Sequence, residues 1–296
     1  MKRKEFLKKF PLGVGLMGTG IFAATAAGES LVTNDIDELK SLEIIGFEHL
    51  PNTTSTIMAS TILHKADTRG HANHGWLDSH HTFSFANYYN PERMHFGVLR
   101  VLNDDVVEAG KGFGKHPHDN MEIISIPLEG DLEHSDSMGN VQTIRDGDIQ
   151  VMSAGSGITH SEYNRNQDKS VKFLQIWVFP NKRDVQPRYD QLSLDKSQRH
   201  NKLQQVLSPN AEDEGVWIHQ DAWFHLGTFD QGAGADYQLR KKGNGIYAFV
   251  LKGEFTIAGQ VVGTRDGFGI WDVEKTTLEA RTPGSEILLM EVPMQL

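Results

Sequence analysis

Apolar residues in this chain come in short runs, many with period two, broken at short intervals by Gly, Asn and Asp. Alternation of that kind gives each extended segment one apolar face, and the turn residues close it off. Phe96–Leu102 (FGVLRVL), Glu122–Leu128, Asp148–Met152 and Val171–Phe179 (VKFLQIWVF) are the clearest such segments in the first half. Trp223–Thr228, Ile246–Leu251, Glu254–Ala258, Gly269–Val273 and Glu286–Val292 follow in the second. Only Ser197–Leu207 hints at a helical period. The pattern predicts an all-β protein with strands spaced as in sandwiches and barrels.

A weak internal repeat divides the chain. Leu128-Glu129-Gly130-Asp131-Leu132 is echoed by Leu251-Lys252-Gly253-Glu254-Phe255, 123 residues later, and Asp146-Gly147-Asp148 by Asp266-Gly267-Phe268, 120 residues later. Between the halves, residues 181–215 are polar and contain Pro187 and Pro209, as expected of a connection. Two tandem barrels are therefore expected, one over residues 45–180 and one over 216–296.

The first residues have the form of a targeting segment. Lys2, Arg3, Lys4, Lys8 and Lys9 precede an uncharged, largely apolar stretch from Pro11 to Ala27, and Ala24-Thr25-Ala26 offers a small-x-small cleavage site. Arg3–Lys8 (RKEFLK) resembles a twin-arginine export signal with lysine in place of the second arginine. Residues 1–27 are read as a signal peptide, so the mature protein is expected to be exported, to the periplasm, without stable membrane insertion. If the signal does not function, a cytoplasmic location is expected instead.

Composition narrows the chemistry. The chain has 296 residues, a formal charge of −10, 14 histidines and no cysteine. The negative charge argues against a nucleic-acid partner. Without cysteine there are no disulfides and no thiolate sites, so a bound metal needs His and carboxylate ligands.

Two features supply them. The first is Gly110-x5-His116-Pro117-His118-x3-Glu122, followed by Gly130. On a strand, alternate side chains share a face, so His116, His118 and Glu122 are expected to point the same way. The second runs through Ala154-Gly155-Ser156-Gly157-Ile158-Thr159-His160-Ser161-Glu162, where His160 and Glu162 again share parity. Together they offer three imidazoles and one or two carboxylates. Such a set suits Fe(II), Mn(II), Cu(II), Ni(II) or Zn(II) and leaves positions open to substrate or oxygen. Parity alone does not separate Glu122 from Glu162.

These motifs resemble the cupin superfamily and, more closely, the pirin family. The resemblance is carried by Arg69–Glu92 (RGHANHGWLDSHHTFSFANYYNPE), Lys115–Asn140 (KHPHDNMEIISIPLEGDLEHSDSMGN), Gln150–Glu162 (QVMSAGSGITHSE) and Val178–Gln191 (VFPNKRDVQPRYDQ). It implies two tandem cupin barrels of the double-stranded β-helix, or jelly-roll, type, with one metal in the N-terminal barrel, Fe(II) first among the candidates. It also implies His116, His118, His160 and Glu162 as ligands, leaving Glu122 behind them to steady an imidazole. With the 123-residue offset, His116, His118 and Glu122 map onto Leu239, Lys241 and Gly245, so the C-terminal barrel is expected to lack a metal.

The activity implied is a quercetin 2,3-dioxygenase-like oxidation of a flavonol or related enolic substrate by O2, in a monomeric enzyme. Glu162 is then the candidate base toward a substrate hydroxyl. An alternative is a non-enzymatic regulator that responds to the iron's oxidation state, as the family's eukaryotic members imply, and export argues against it. A Zn(II) hydrolase or isomerase is a third reading. Among other residues, Phe83 and Phe85 are expected to share a face and pack in the core. Gln150 and Met152 can line the cavity. His71, His74 and His134 receive no role.

Overall fold

The computed structural model describes residues 59–296. The expected signal at 1–27, and the beginning of the first barrel as far as residue 58, lie outside the described residues. The strands of the first part are β1 (Ser60–His64), β2 (Gly70–Asn73), β3 (Leu77–His81), β4 (Leu99–Val107), β5 (Gly112–His118), β6 (Glu122–Glu129), β7 (Leu132–Asp136), β8 (Val141–Ile144), β9 (Asp148–Ser153), β10 (Ile158–Asn164) and β11 (Val171–Val178). They are followed by β12 (Arg188–Ser193), β13 (Leu203–Ser208), β14 (Val216–Trp217), β15 (Trp223–Phe229), β16 (Gly234–Gln238), β17 (Asn244–Lys252), β18 (Glu254–Ile257), β19 (Gln260–Gly263), β20 (Gly267–Trp271), β21 (Lys275–Ala280) and β22 (Ser285–Pro293). Where a helical period was expected, a short 3-10 turn at Lys196–Arg199 precedes β13. Packing of Val206 and Leu207 into the core overrides the local pattern there.

Each half is a jelly roll of one seven-stranded and one four-stranded sheet. The N-terminal pair has the orders β12-β9-β6-β11-β4-β3-β2 and β5-β10-β7-β8. The C-terminal pair has β1-β20-β17-β22-β15-β13-β14 and β16-β21-β18-β19. Sheet membership does not follow the divisions at 180 and 216. The first described strand, β1, pairs antiparallel with β20 of the C-terminal unit, Ser60 opposite Trp271 and His64 opposite Gly267. The expected connection contributes a strand to each unit, β12 to the N-terminal sheet and β13 to the C-terminal one. Pairing along a sheet edge is invisible in the local alternation of the strands that make it.

The two seven-stranded sheets share the largest apolar core. Leu102, Ile124, Leu174 and Ile176 from one unit and Phe224, Tyr247, Phe249 and Met290 from the other belong to a single buried cluster. The opposite faces differ in chemistry. The C-terminal interior is apolar over Ile246, Ala248, Phe255, Ile257, Leu278 and Leu289. In the N-terminal unit, two small apolar clusters occupy the interior, one around Val107, Leu132 and Phe173 and one around Ile123, Met152 and Ile158. Polar residues fill the space between them.

Candidate metal centre

β5 and β10 lie side by side in the four-stranded sheet, with His160 directly opposite His116 and Ile158 opposite His118. The HxH pair and His160 therefore meet through strand pairing. Between His160 and Glu162 the register shifts by a bulge, a device that re-aims side chains on a strand. The chain enters β10 through Gly155, whose φ is +48° and where a Cβ would overlap the Val185 carbonyl oxygen, so glycine alone fits.

The three imidazoles converge. Ring centroids are 4.8 Å apart for His116 and His118, 4.5 Å for His116 and His160, and 4.9 Å for His118 and His160. One nitrogen from each lies within 4.8 Å of the others. Burial, and then the neighbouring imidazole of His116, pushes His118 down to about 3. The same two causes hold His160 far below the ordinary histidine range. Both are held neutral, the form that carries a lone pair for a metal.

Hydrogen bonds behind the rings decide which nitrogen is offered. His116 Nδ1 lies 2.8 Å from the Gly114 carbonyl oxygen and donates to it, which leaves Nε2 as its metal-binding atom. Behind His160 stands a chain absent from the sequence reading. His134 Nε2 lies 3.1 Å from Asp136 Oδ2, and His134 Nδ1 lies 3.4 Å from His160 Nδ1. Asp136 accepts only, so His134 carries its proton on Nε2 and accepts on Nδ1. His160 must then hold its proton on Nδ1, and its Nε2 is a buried lone pair with no partner in the protein. Burial works to raise the Asp136 carboxyl, but hydrogen bonds from Asn140 and His134 outweigh it and hold the group below its ordinary value. An orphaned buried nitrogen grouped with two further imidazoles fits a single divalent transition metal. The signal for His134 was its parity with Asp136 on β7 and its position opposite Glu162.

The carboxylates go elsewhere. Glu162 is buried on the same face as His160, but its oxygens are not among those gathered with the imidazoles. They accept from Ser125 Oγ at 3.0 Å and Gln175 Nε2 at 2.7 Å, on the opposite sheet. Burial raises Glu162 to about 7, against the pull of those two hydrogen bonds. Glu122 does not share the histidines' face. The chain turns between β5 and β6, so parity counted from His118 is broken, and Glu122 accepts from Ser153 Oγ at 2.6 Å. It does not steady a ligand imidazole.

Below the imidazoles, a row of polar side chains crosses the seven-stranded sheet in register: His81, Asn103, Gln175, Ser125, Gln150 and Gln191. Within it His81 Nδ1, Asn103 Oδ1, Gln175 Oε1 and both amide atoms of Gln150 are buried without a protein partner. Buried polar atoms are seldom left so, and a cluster of them marks a place for water or a polar ligand. Gln150 and Met152 do face this interior, opposite Ser125 and Ile123. Phe83 and Phe85 part company. Phe83 packs in the core between the units, whereas Phe85 sets its edge against Trp177, which in turn lies 5.0 Å from His118.

The C-terminal unit has no such centre among the described residues. Leu132 and Phe255 both stand two residues after the repeated glycine, and each pairs with the neighbouring strand, to Asn164 and Ala280 respectively. Counting back along β10 and β21 sets Glu162 against Leu278, and His160 against Thr276. Since Thr276 pairs with Tyr237, the HxH positions fall at Tyr237 and Leu239. The 123-residue offset thus slips by two at this strand, and neither register supplies a histidine.

Comparison with known proteins agrees with this architecture. Residues 63–178 match the Pirin family model and residues 205–292 the model of the quercetinase C-terminal cupin domain. A quercetin 2,3-dioxygenase of Escherichia coli K12 is 46% identical over 231 residues, which cover 78% of this chain and 98% of that protein. A pirin-like protein of Caulobacter vibrioides is 37% identical over 75% of this chain and 96% of its own length. Among solved structures, the bacterial pirin YhhW from Escherichia coli, in complex with nickel(II), superposes with a TM-score of 0.75 at 44% identity, over 79% of this chain and 99% of that one. The matched segments, the paired jelly rolls and the histidine centre of the N-terminal unit agree, and the chain belongs to the pirin family.

Proposed function

We propose that the protein is a metal-dependent dioxygenase acting on quercetin-type flavonols or closely related enolic substrates. The observation that carries the reading is the convergence of three imidazoles in an interior that also holds a buried carboxyl raised to about 7 and several unpaired polar atoms. The E. coli relative named quercetin 2,3-dioxygenase, matched over nearly its whole length, supports the same chemistry.

His116, His118 and His160 would hold the metal, and Glu162, buried on the face of β10 that carries His160, would stand behind them as the nearby carboxyl. When bound, the metal supplies the electron exchange with dioxygen that the protein's own side chains cannot provide. The protein's part is to bind, orient and move a proton. Trp177 and Phe85 offer apolar faces against which a flat aromatic substrate stacks. Gln150, Asn103 and Gln175 present amide groups suited to phenolic hydroxyls and a carbonyl. Glu162, raised to about 7, can accept the proton of the enolic hydroxyl and return it when product leaves.

Fe(II) as the resident metal, a monomeric state and export to the periplasm belong to the same proposal. Metal analysis of protein purified without chelators, size-exclusion chromatography with light scattering, and mass measurement of the mature N-terminus check each in turn. The activity is tested by loading the protein anaerobically with Fe(II), or with Ni(II), Mn(II) or Cu(II), adding quercetin and then admitting oxygen. Loss of the flavonol absorbance matched by oxygen uptake is expected, and both should vanish in His160→Ala. No oxygen uptake with any of these metals would overturn the reading.

A further inference from the structure

A second group of metal-binding side chains lies outside the barrel, on the β2–β3 hairpin at the edge of the N-terminal seven-stranded sheet. His71 and His80 stand directly opposite each other across the hairpin. Asp78 precedes His80 by two residues, so all three share the sheet's outer face. His71 Nε2 is 2.7 Å from Asp78 Oδ1, and His80 Nδ1 is 3.6 Å from the same oxygen. One donor atom from each residue lies within 4.8 Å of the other two. His71, which had no role by sequence alone, is set against His80 by the fold.

The two imidazoles are stacked, with centroids 4.4 Å apart and planes 18° from parallel. Stacked rings do not yet aim their lone pairs at one point. Side-chain exposures of 50%, 38% and 41% for His71, His80 and Asp78 leave room for the small rotations that would do so. The nearby positive charge is already answered, since Arg69 and Arg265 both pair with Asp104 at 3.2 and 3.1 Å. Asp78 Oδ2 also accepts from the Asn73 amide at 3.3 Å.

We propose that His71, Asp78 and His80 form a surface site for a divalent transition metal, Zn(II), Ni(II) or Cu(II), separate from the barrel centre. Two imidazoles and one carboxylate suit these ions, and water completes the coordination. The ion would tie the edge strand β2 to β3, whose opposite face carries Ser79 and His81 into the barrel. Affinity should be lower than at the barrel centre, because exposed ligands must be ordered by the metal itself. The proposal does not depend on the dioxygenase reading.

The test is a titration of the full chain, free of any affinity tag, with Zn(II) or Ni(II), followed by calorimetry and native mass spectrometry. Two equivalents per chain are expected, the second weaker. His71→Ala/His80→Ala should lose the weaker equivalent and keep the tighter one, while His116→Ala should do the reverse. With Cu(II), the second equivalent should show nitrogen hyperfine coupling that disappears in the double variant. These are surface changes, and circular dichroism verifies that the fold is kept. Saturation at one equivalent, or a second equivalent that survives in the double variant, would overturn the proposal.

Discussion

At His160 the atom offered to a metal is decided by two residues that do not reach it. Asp136 holds the proton of His134 on Nε2, and His134 in turn holds that of His160 on Nδ1. Partners of this kind are worth about 10–100-fold in metal affinity. His134→Ala should therefore weaken binding by about that factor in a chelator-competition titration, with the far-ultraviolet circular dichroism unchanged. Glu162 tests a different point. Its carboxyl is raised to about 7 by burial and is held by Ser125 and Gln175; an amide in its place can still accept from Gln175 and can donate to the Ser125 hydroxyl. Glu162→Gln should keep one metal equivalent and lower oxygen uptake with quercetin by about 10²–10⁴-fold, the usual size of a general-base contribution. Metal lost together with activity would instead assign the carboxylate to the coordination sphere. The histidines were readable from the sequence, because HxH spacing on a strand is a local signal. Glu122 was misplaced because parity does not survive the turn between β5 and β6. His134 was missed because its parity with Asp136 shows only a shared face, and it takes the pairing of β7 with β10 to bring that face to His160.

Among the elements, β1 is the one whose place no local pattern foretold, and His64 makes it sensitive to pH. The ring is buried against Phe83 and Tyr247, with Nδ1 2.8 Å from the Tyr247 hydroxyl. Burial, and secondarily the charge of Arg93, lowers His64 from 6.5 to about 4. The folded state keeps the ring neutral over a range where the unfolded chain takes up a proton. Its contribution is complete above pH 6.5 and is lost as pH falls through about 4. A shift of that size corresponds to on the order of 3 kcal/mol. Urea titrations across this window should show a flatter pH dependence for His64→Gln, which keeps a polar partner for Tyr247 without titrating. An unchanged slope would remove His64 from the account.

For the whole molecule, the shared core between the two seven-stranded sheets should make the units unfold together. Phe249 is fully buried in that core, on the C-terminal side. Phe249→Ala should cost about 3–5 kcal/mol. Thermal unfolding followed by tryptophan fluorescence and by circular dichroism should still show one transition. Two separated transitions would mean that the halves are energetically independent. The strands exchanged across the boundary argue the same way, since β1 is the edge neighbour of β20 and cannot leave without exposing it.

Period-two alternation, the repeated glycines and the spacing of His116, His118 and His160 were enough to determine an all-β duplicated fold with one metal-binding half. Each is a property of neighbours along the chain, and strand geometry converts such spacing directly into a shared face. The partner of β1, the tautomer of His160, the turning of Glu162 onto the opposite sheet and the pairing of His71 with His80 were decided only by tertiary structure. All four depend on residues brought together across strands, where contact depends on register and sheet order.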